Sequence, residues 1–112
     1  MLWLRPVALY FLINDTESIS EKIKQYEIQL FRLEAFISAN NLQVYTEYYD
    51  IVYNGTSFSM NGFKQLTHDW NNGAFDFLLT ARSFSQMRTT ADSMGPPIFS
   101  LDNHFSLSNF LA

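Results

Sequence analysis

The stretch Asn41-Leu-Gln-Val-Tyr-Thr-Glu-Tyr-Tyr-Asp-Ile-Val-Tyr-Asn-Gly-Thr-Ser-Phe-Ser-Met-Asn-Gly-Phe63 decides the fold. Its first part, Leu42 to Asp50, alternates well enough for a strand, with Val44 and Tyr48 offered to the core. A loop over 51–59 follows, and its Asn54-Gly55-Thr56 uses glycine's tolerance of positive φ to turn the chain. Ser59 or Asn61 then caps a helix carrying Phe63, Leu66 and Trp70, which Asn71-Asn72-Gly73 closes. Strand, turn and helix in direct succession make one unit of an α/β chain.

Working toward the N-terminus, Val7 to Ile13 is a continuous apolar run between Pro6 and Asn14-Asp15, the pattern of a strand buried on both faces. Ser18 or Ser20 can cap the helix that follows, with Glu21 in its first turn. Ile19, Ile23, Tyr26, Leu30, Leu33 and Ile37 recur at alternating spacings of four and three, one apolar stripe widened by Phe31 and Phe36. Toward the C-terminus, Phe75 to Thr80 predicts a third buried strand and Arg82 to Met94 a short helix, stopped by Gly95-Pro96-Pro97. Ile98 to Leu101 predicts a fourth strand, and Phe105 to Ala112 a short apolar turn or helix. Alternating strands and helices predict an α/β three-layer sandwich around a mostly parallel sheet of four to five strands.

The length, 112 residues, fits a single domain. Hydrophobic residues make up 47% and aromatics 17%, ample for a packed core. Seven Lys and Arg against eleven Asp and Glu give a net charge of −4, without the basic excess that phosphate neutralisation requires of a DNA-binding surface. The absence of cysteine removes disulfides, thiolate catalysis and cysteine-held metal. His68 and His104 lie in unrelated contexts and make no ligand pair, so neither metal nor cofactor is expected. The apolar N-terminus is interrupted by Arg5, is too short to span a bilayer and reads as a first strand, which predicts a cytoplasmic protein with no membrane partner.

Several stretches together resemble the catalytic domain of serine recombinases of the resolvase/invertase type, over roughly Val7 to Leu101. Ala8-Leu-Tyr-Phe-Leu-Ile13 is similar to that family's first strand, and Tyr26 to Asn40, with Gln29 and Arg32-Leu33-Glu34-Ala35, to its first long helix. The strand ending in Asp50, the Asn54-Gly55-Thr56 turn and the Gly73-to-Leu79 segment complete the likeness. The resemblance implies a single resolvase-like domain over 1–112, with 7–101 as its family-like core and 102–112 as a short apolar tail. The family's activity is DNA strand cleavage and rejoining through a phosphoserine intermediate. A serine hydroxyl attacks a phosphodiester while several arginines hold the developing charge.

Carried across residue by residue, the resemblance implies a site stripped of that chemistry. The nucleophile's position holds Asn14, an arginine's place two residues earlier holds Leu12, and the arginine of the turn into the second helix is replaced by Met60. In the later loop, Phe84-Ser85-Gln86-Met87-Arg88 stands where the family has acidic, arginine and serine side chains, and Arg88 alone keeps its type. Each lost charge-stabilising contact costs on the order of 3 kcal/mol of transition-state binding, so several together abolish useful rate. Ser18, Ser83 and Ser85 are alternative hydroxyls and Arg82 an alternative cation, yet none of them restores Leu12 or Met60.

The expectation is a degenerate, inactive recombinase-like domain that works as a protein-association module linked to DNA recombination or mobile elements. Its partner would be another copy or a related recombinase-like protein, with DNA a weak partner of this domain alone. Two other readings stay open: a working recombinase with rearranged residues, and an unrelated small α/β ligand-binding module. The second would need a Gly-rich phosphate loop or a carboxylate pocket, and Asp15, Glu47 and Asp50 are dispersed in sequence. The simpler roles are turn formation for Asn14 and Asp15, a solvated helix charge for Arg88, and strand packing for Tyr45, Tyr48, Tyr49 and Tyr53.

Overall fold

A computed structural model describes residues 5–52, 60–82 and 95–101. Its elements, in chain order, are β1 (Arg5–Asn14), α1 (Ile19–Ala39), β2 (Leu42–Val52), α2 (Asn61–Asn71), β3 (Phe77–Thr80) and β4 (Ile98–Ser100). The four strands are parallel and lie in the order β2-β1-β3-β4. β1 is thus interior, which is why its sequence is apolar at every position from Val7 to Ile13.

Pleating sends alternate β1 side chains to opposite faces. Val7, Leu9, Phe11 and Ile13 join Leu33, Leu42, Phe77, Leu79 and Phe99 in one cluster, against which Tyr26, Leu30, Phe36 and Ile37 of α1 pack. Ala8, Tyr10 and Leu12 join Tyr48, Val52, Leu78, Phe75 and, from α2, Phe63 and Leu66 in the other. One helix on each face of the sheet gives the expected three layers. Among the described residues, no helix is long and apolar enough to cross a membrane.

Ser18 caps α1 by accepting from the Glu21 amide, as its sequence predicts. The helix ends where the Asn40 amide and side chain both return to the Phe36 carbonyl and Asn41 turns to a φ of 53°. α2 closes at Asn72, with Gly73 at a φ of 80°.

Several expectations need correction. The β1–β2 register shifts between Val7 and Ala8, so that Val7 faces Val44 while Ala8 faces Thr46. The extra residue at Tyr45 is a bulge, and it puts Val44 and Tyr48 on opposite faces. Tyr48 is buried with α2, whereas Val44 is 38% exposed. Ile51 and Val52 are not loop but extend β2 opposite Ile13 and Asn14. The third strand starts at Phe77, although Phe75 is buried before it. The α1 stripe holds from Tyr26 to Ile37, but Ile19, Ile23 and Phe31 remain exposed, Phe31 at 77%. The turn 54–56, the helix 82–94 beyond Arg82, and the tail lie outside the described residues.

Candidate functional site

The chain leaves β1 toward β2 on one side and returns through β3 on the other. The carboxyl ends of β1 and β3 therefore bound the crevice where open α/β sheets place ligands. β1 outruns its neighbour, because β3 ends at Thr80, opposite Tyr10. Beyond that point α1 supplies what a strand would have supplied. Gln29 Nε2 donates to the Leu12 carbonyl at 2.9 Å. Gln25 donates to the Asn14 carbonyl at 2.9 Å and accepts from the Asn14 amide at 2.8 Å. The four-residue spacing of Gln25 and Gln29 puts both amides on one helix face, so they continue the ladder where β3 stops. The Arg82 guanidinium reaches the same Leu12 carbonyl at 3.4 Å, and the buried Gln29 Oε1 has no hydrogen-bond partner among the described residues.

Asn14 is exposed at the tip of β1, and its main chain is locked by Gln25. The neighbouring Asp15 amide donates to the Val52 carbonyl at 2.8 Å, and the Asp15 side chain pairs with Lys22 at 3.0 Å. Leu12, only 4% exposed, belongs to the apolar cluster under α2, and Met60 packs against that same cluster. Two positions where the resemblance implies arginines are therefore part of the hydrophobic interior. Of the cations it named, Arg82 alone is among the described residues, and it faces a carbonyl. Phe84, Ser85 and Arg88, with the alternative hydroxyl Ser83, lie outside them.

Asp50, at the end of β2, is the buried carboxylate of this region. One oxygen accepts from the Gly62 amide at 2.7 Å, and the other from the Phe63 amide at 2.9 Å and the Tyr10 hydroxyl at 2.7 Å. A strand residue thus caps α2 from outside the helix. Of the two expected caps, Asn61 is instead the first helical residue, with Met60 at the cap position, and Ser59 lies outside the described residues. Met60 has a left-handed φ of 56° and makes no side-chain cap bond. The close approach demands a glycine, since a Cβ at Gly62 would lie 2.1 Å from the Tyr49 carbonyl oxygen. With its leading amides bound to Asp50, the α2 N-terminus is already neutralised and offers no phosphate cradle.

Burial, reinforced by the bond to Asp50, holds the Tyr10 hydroxyl far above the usual phenol range. Tyr48 is raised too, by burial and then by its short hydrogen bond to Asp69 of α2. Tyr26 is pushed up to about 12, chiefly by donating to Glu47 at 2.6 Å. Proton transfer near neutral pH is therefore not what these phenols do; they tie helices to the sheet. No group of His, Cys, Asp and Glu among the described residues is arranged to hold a metal.

Sequence reasoning missed the Asp50–Tyr10–α2 connection and the pairing role of Gln25. A single acid ending a strand and a lone tyrosine inside an apolar run were its only signals.

No protein-family model matches the chain, and no curated protein sequence matches it. Solved structures do. The N-terminal catalytic domain of TP901-1 integrase superimposes with a TM-score of 0.62 at 24% identity, covering 88% of this chain and 79% of that one. The C-terminal catalytic domain of ISC1926 TnpA, an IS607-like serine recombinase, gives 0.62 at 18% identity, covering 86% and 67%. The fold is that of serine recombinase catalytic domains. The parallel sheet and the flanking helices are the common ground with those structures.

Proposed function

We propose that this chain is a recombinase-fold domain that does not cleave DNA and acts by associating with another protein, in the context of DNA recombination or mobile elements. The observation that carries this reading is the burial of Leu12 in the cluster that Met60 also packs against. An arginine there would be buried in apolar surroundings, and the carboxylate opposite it on β2, Asp50, already accepts from three donors, so its desolvation would cost several kcal/mol. The one family-like cation described there, Arg82, is turned to a main-chain carbonyl, which leaves a phosphorane-like transition state little to lean on. Asn14 has a carboxamide in place of a nucleophilic hydroxyl, and Gln25 and Arg82 are engaged with main-chain groups. The acidic net charge of −4 argues in the same direction, against tight binding of the phosphate backbone by this domain alone.

Association fits the surface better than catalysis fits the crevice. On the α1 side, Ile23 and Tyr49 are large, apolar and half or more exposed around one groove, and Ile19, Ile28 and Phe31 of the same helix are exposed as well. The partner is a second copy or a related recombinase-like chain. The test pairs two measurements on the full chain: incubation with nicked duplex DNA, scored for covalent adduct, and sedimentation across a concentration series. No adduct with concentration-dependent mass growth supports the reading. An adduct, or a strict monomer that also fails to bind recombinase-like partners, overturns it.

A further inference from the structure

β2 lies at one edge of the sheet, and its outer side has no strand partner among the described residues. Long, regular edges are templates for pairing with another chain, and bulges are one way of blunting them. Here the bulge at Tyr45 disrupts only the first part. From Thr46 to Val52 the register against β1 runs without interruption, and that run is centred on Tyr49. On the α1 face beside it lies an apolar groove of about 220 Å³ lined by Phe11, Ile13, Ile23, Tyr26, Tyr49 and Ile51. Tyr49 is 63% exposed there and Ile23 is 50% exposed.

We propose that the occupant of this edge is a second copy of the chain, its β2 paired antiparallel to this one across a two-fold axis at Tyr49. The proposal rests on the association reading and names its surface and partner. Residues facing each other across an antiparallel ladder point their main-chain groups the same way, so two identical strands place the axis on a residue. An axis at Tyr49 pairs the whole regular run. Glu47 then faces the partner's Ile51, Tyr48 the partner's Asp50, and Thr46 the partner's Val52.

Other axes are worse. Glu47 or Asp50 on the axis brings two carboxylates face to face, which is destabilising. An axis at Tyr48 runs the pairing toward the bulge, and one at Ile51 leaves little strand to pair. With the axis at Tyr49, both grooves lie on the same face of one continuous sheet. Two Tyr49 rings meet between them, apolar surface against apolar surface, as an isologous contact requires. A lone strand peptide would pair the edge and leave Ile23, above it on α1, uncovered.

The surface is modest. A fully covered tyrosine buries roughly 150–250 Å², so the exposed parts of Tyr49, Ile19 and Ile23 fall short of the roughly 800 Å² per partner of a standard interface. An interface this small suits a weak, transient dimer.

The chain has no cysteine, which makes the axis directly readable. Opposed Cβ atoms in a ladder are about 4.5–5.5 Å apart, near enough to bridge with a small adjustment. Under mild oxidation Tyr49→Cys is expected to form disulfide dimers rapidly, and Ala35→Cys, exposed on α1, to form few. By sedimentation equilibrium, Tyr49→Glu is expected to raise the dimer dissociation constant at least about tenfold, with circular dichroism unchanged. A dimer indifferent to Tyr49→Glu, in which Tyr49→Cys cross-links no faster than Ala35→Cys, overturns this surface and leaves the association reading standing. A strict monomer at every concentration, with no cross-linking of either variant, overturns the second-copy proposal; capture of a recombinase-like partner by that monomer would still preserve the broader reading.

Discussion

Asp50→Ala removes one carboxylate and strands three donors: the amides of Gly62 and Phe63 and the hydroxyl of Tyr10. The two amides open the first turn of α2, and losing a capping acceptor costs about 1–2 kcal/mol. The Tyr10 side chain is fully buried, so its orphaned hydroxyl adds about 1–3 kcal/mol. Together they amount to about 2–5 kcal/mol, a large share of the roughly 5–15 kcal/mol that holds a domain folded. At about 4 °C per kcal/mol for a chain of this size, Tm falls by roughly 8–20 °C.

Urea unfolding followed by circular dichroism reads the change, provided the m-value is constant. A double-mutant cycle sharpens it. Tyr10→Phe alone costs about 1 kcal/mol, but on the Asp50→Ala background it is neutral or stabilising, because it deletes the stranded hydroxyl. A loss below about 1 kcal/mol for Asp50→Ala, or strict additivity of the two substitutions, would refute the reasoning.

Three further outcomes follow from the same geometry. Gly62→Ala drives a methyl into the Tyr49 carbonyl, so α2 shifts and stability drops by at least about 1–3 kcal/mol; an unchanged midpoint in urea contradicts the close approach. Leu12→Arg buries a cation in the cluster under α2 and pulls Asp50, directly opposite on β2, away from the donors it holds, so it unfolds the domain or costs more than about 3 kcal/mol; wild-type stability of that variant would mean that the site accommodates a cation. Tyr10, Tyr26 and Tyr48 have folded pKa values raised above the ordinary 10.0, so the stability they confer is complete below that pH and is lost as pH climbs past it. Buried Tyr10 dominates the decline, which approaches about 1.4 kcal/mol per pH unit for that tyrosine, while solvent screening leaves Tyr26 and Tyr48 a smaller share, and it is shallower in Tyr10→Phe; tyrosinate absorbance from all three at pH 10, with the fold intact, rules this out.

The fold was legible where one periodicity governed a whole element. Val7 to Ile13 is apolar at every position because β1 is interior and covered on both faces, and the strict spacing from Tyr26 to Ile37 follows the core-facing side of α1. Legibility failed where a single residue breaks the period. The bulge at Tyr45 is invisible as composition, yet it sends Val44 and Tyr48 to opposite faces. Ile19, Ile23 and Phe31 keep helical spacing while remaining exposed, because periodicity cannot tell a core-facing stripe from an exposed apolar one.

The likeness to recombinases singled out Leu12, Asn14 and Met60 by position in the sequence. It gave no sign that Asp50 caps α2 or that Gln25 clamps the main chain of Asn14. Those are long-range hydrogen bonds, and no local pattern encodes them.

The central claim, a recombinase fold without strand-cleaving chemistry, meets its most direct test in one reaction. The full chain is incubated with a pool of nicked duplexes carrying randomised sequence, and covalent protein–DNA products are sought by denaturing electrophoresis and peptide mass mapping. The account predicts no adduct at any residue and no binding that weakens with added salt, as befits a chain of net charge −4. A DNA-linked peptide bearing a phosphoserine, at Ser18, Ser83, Ser85 or any other serine, would contradict it.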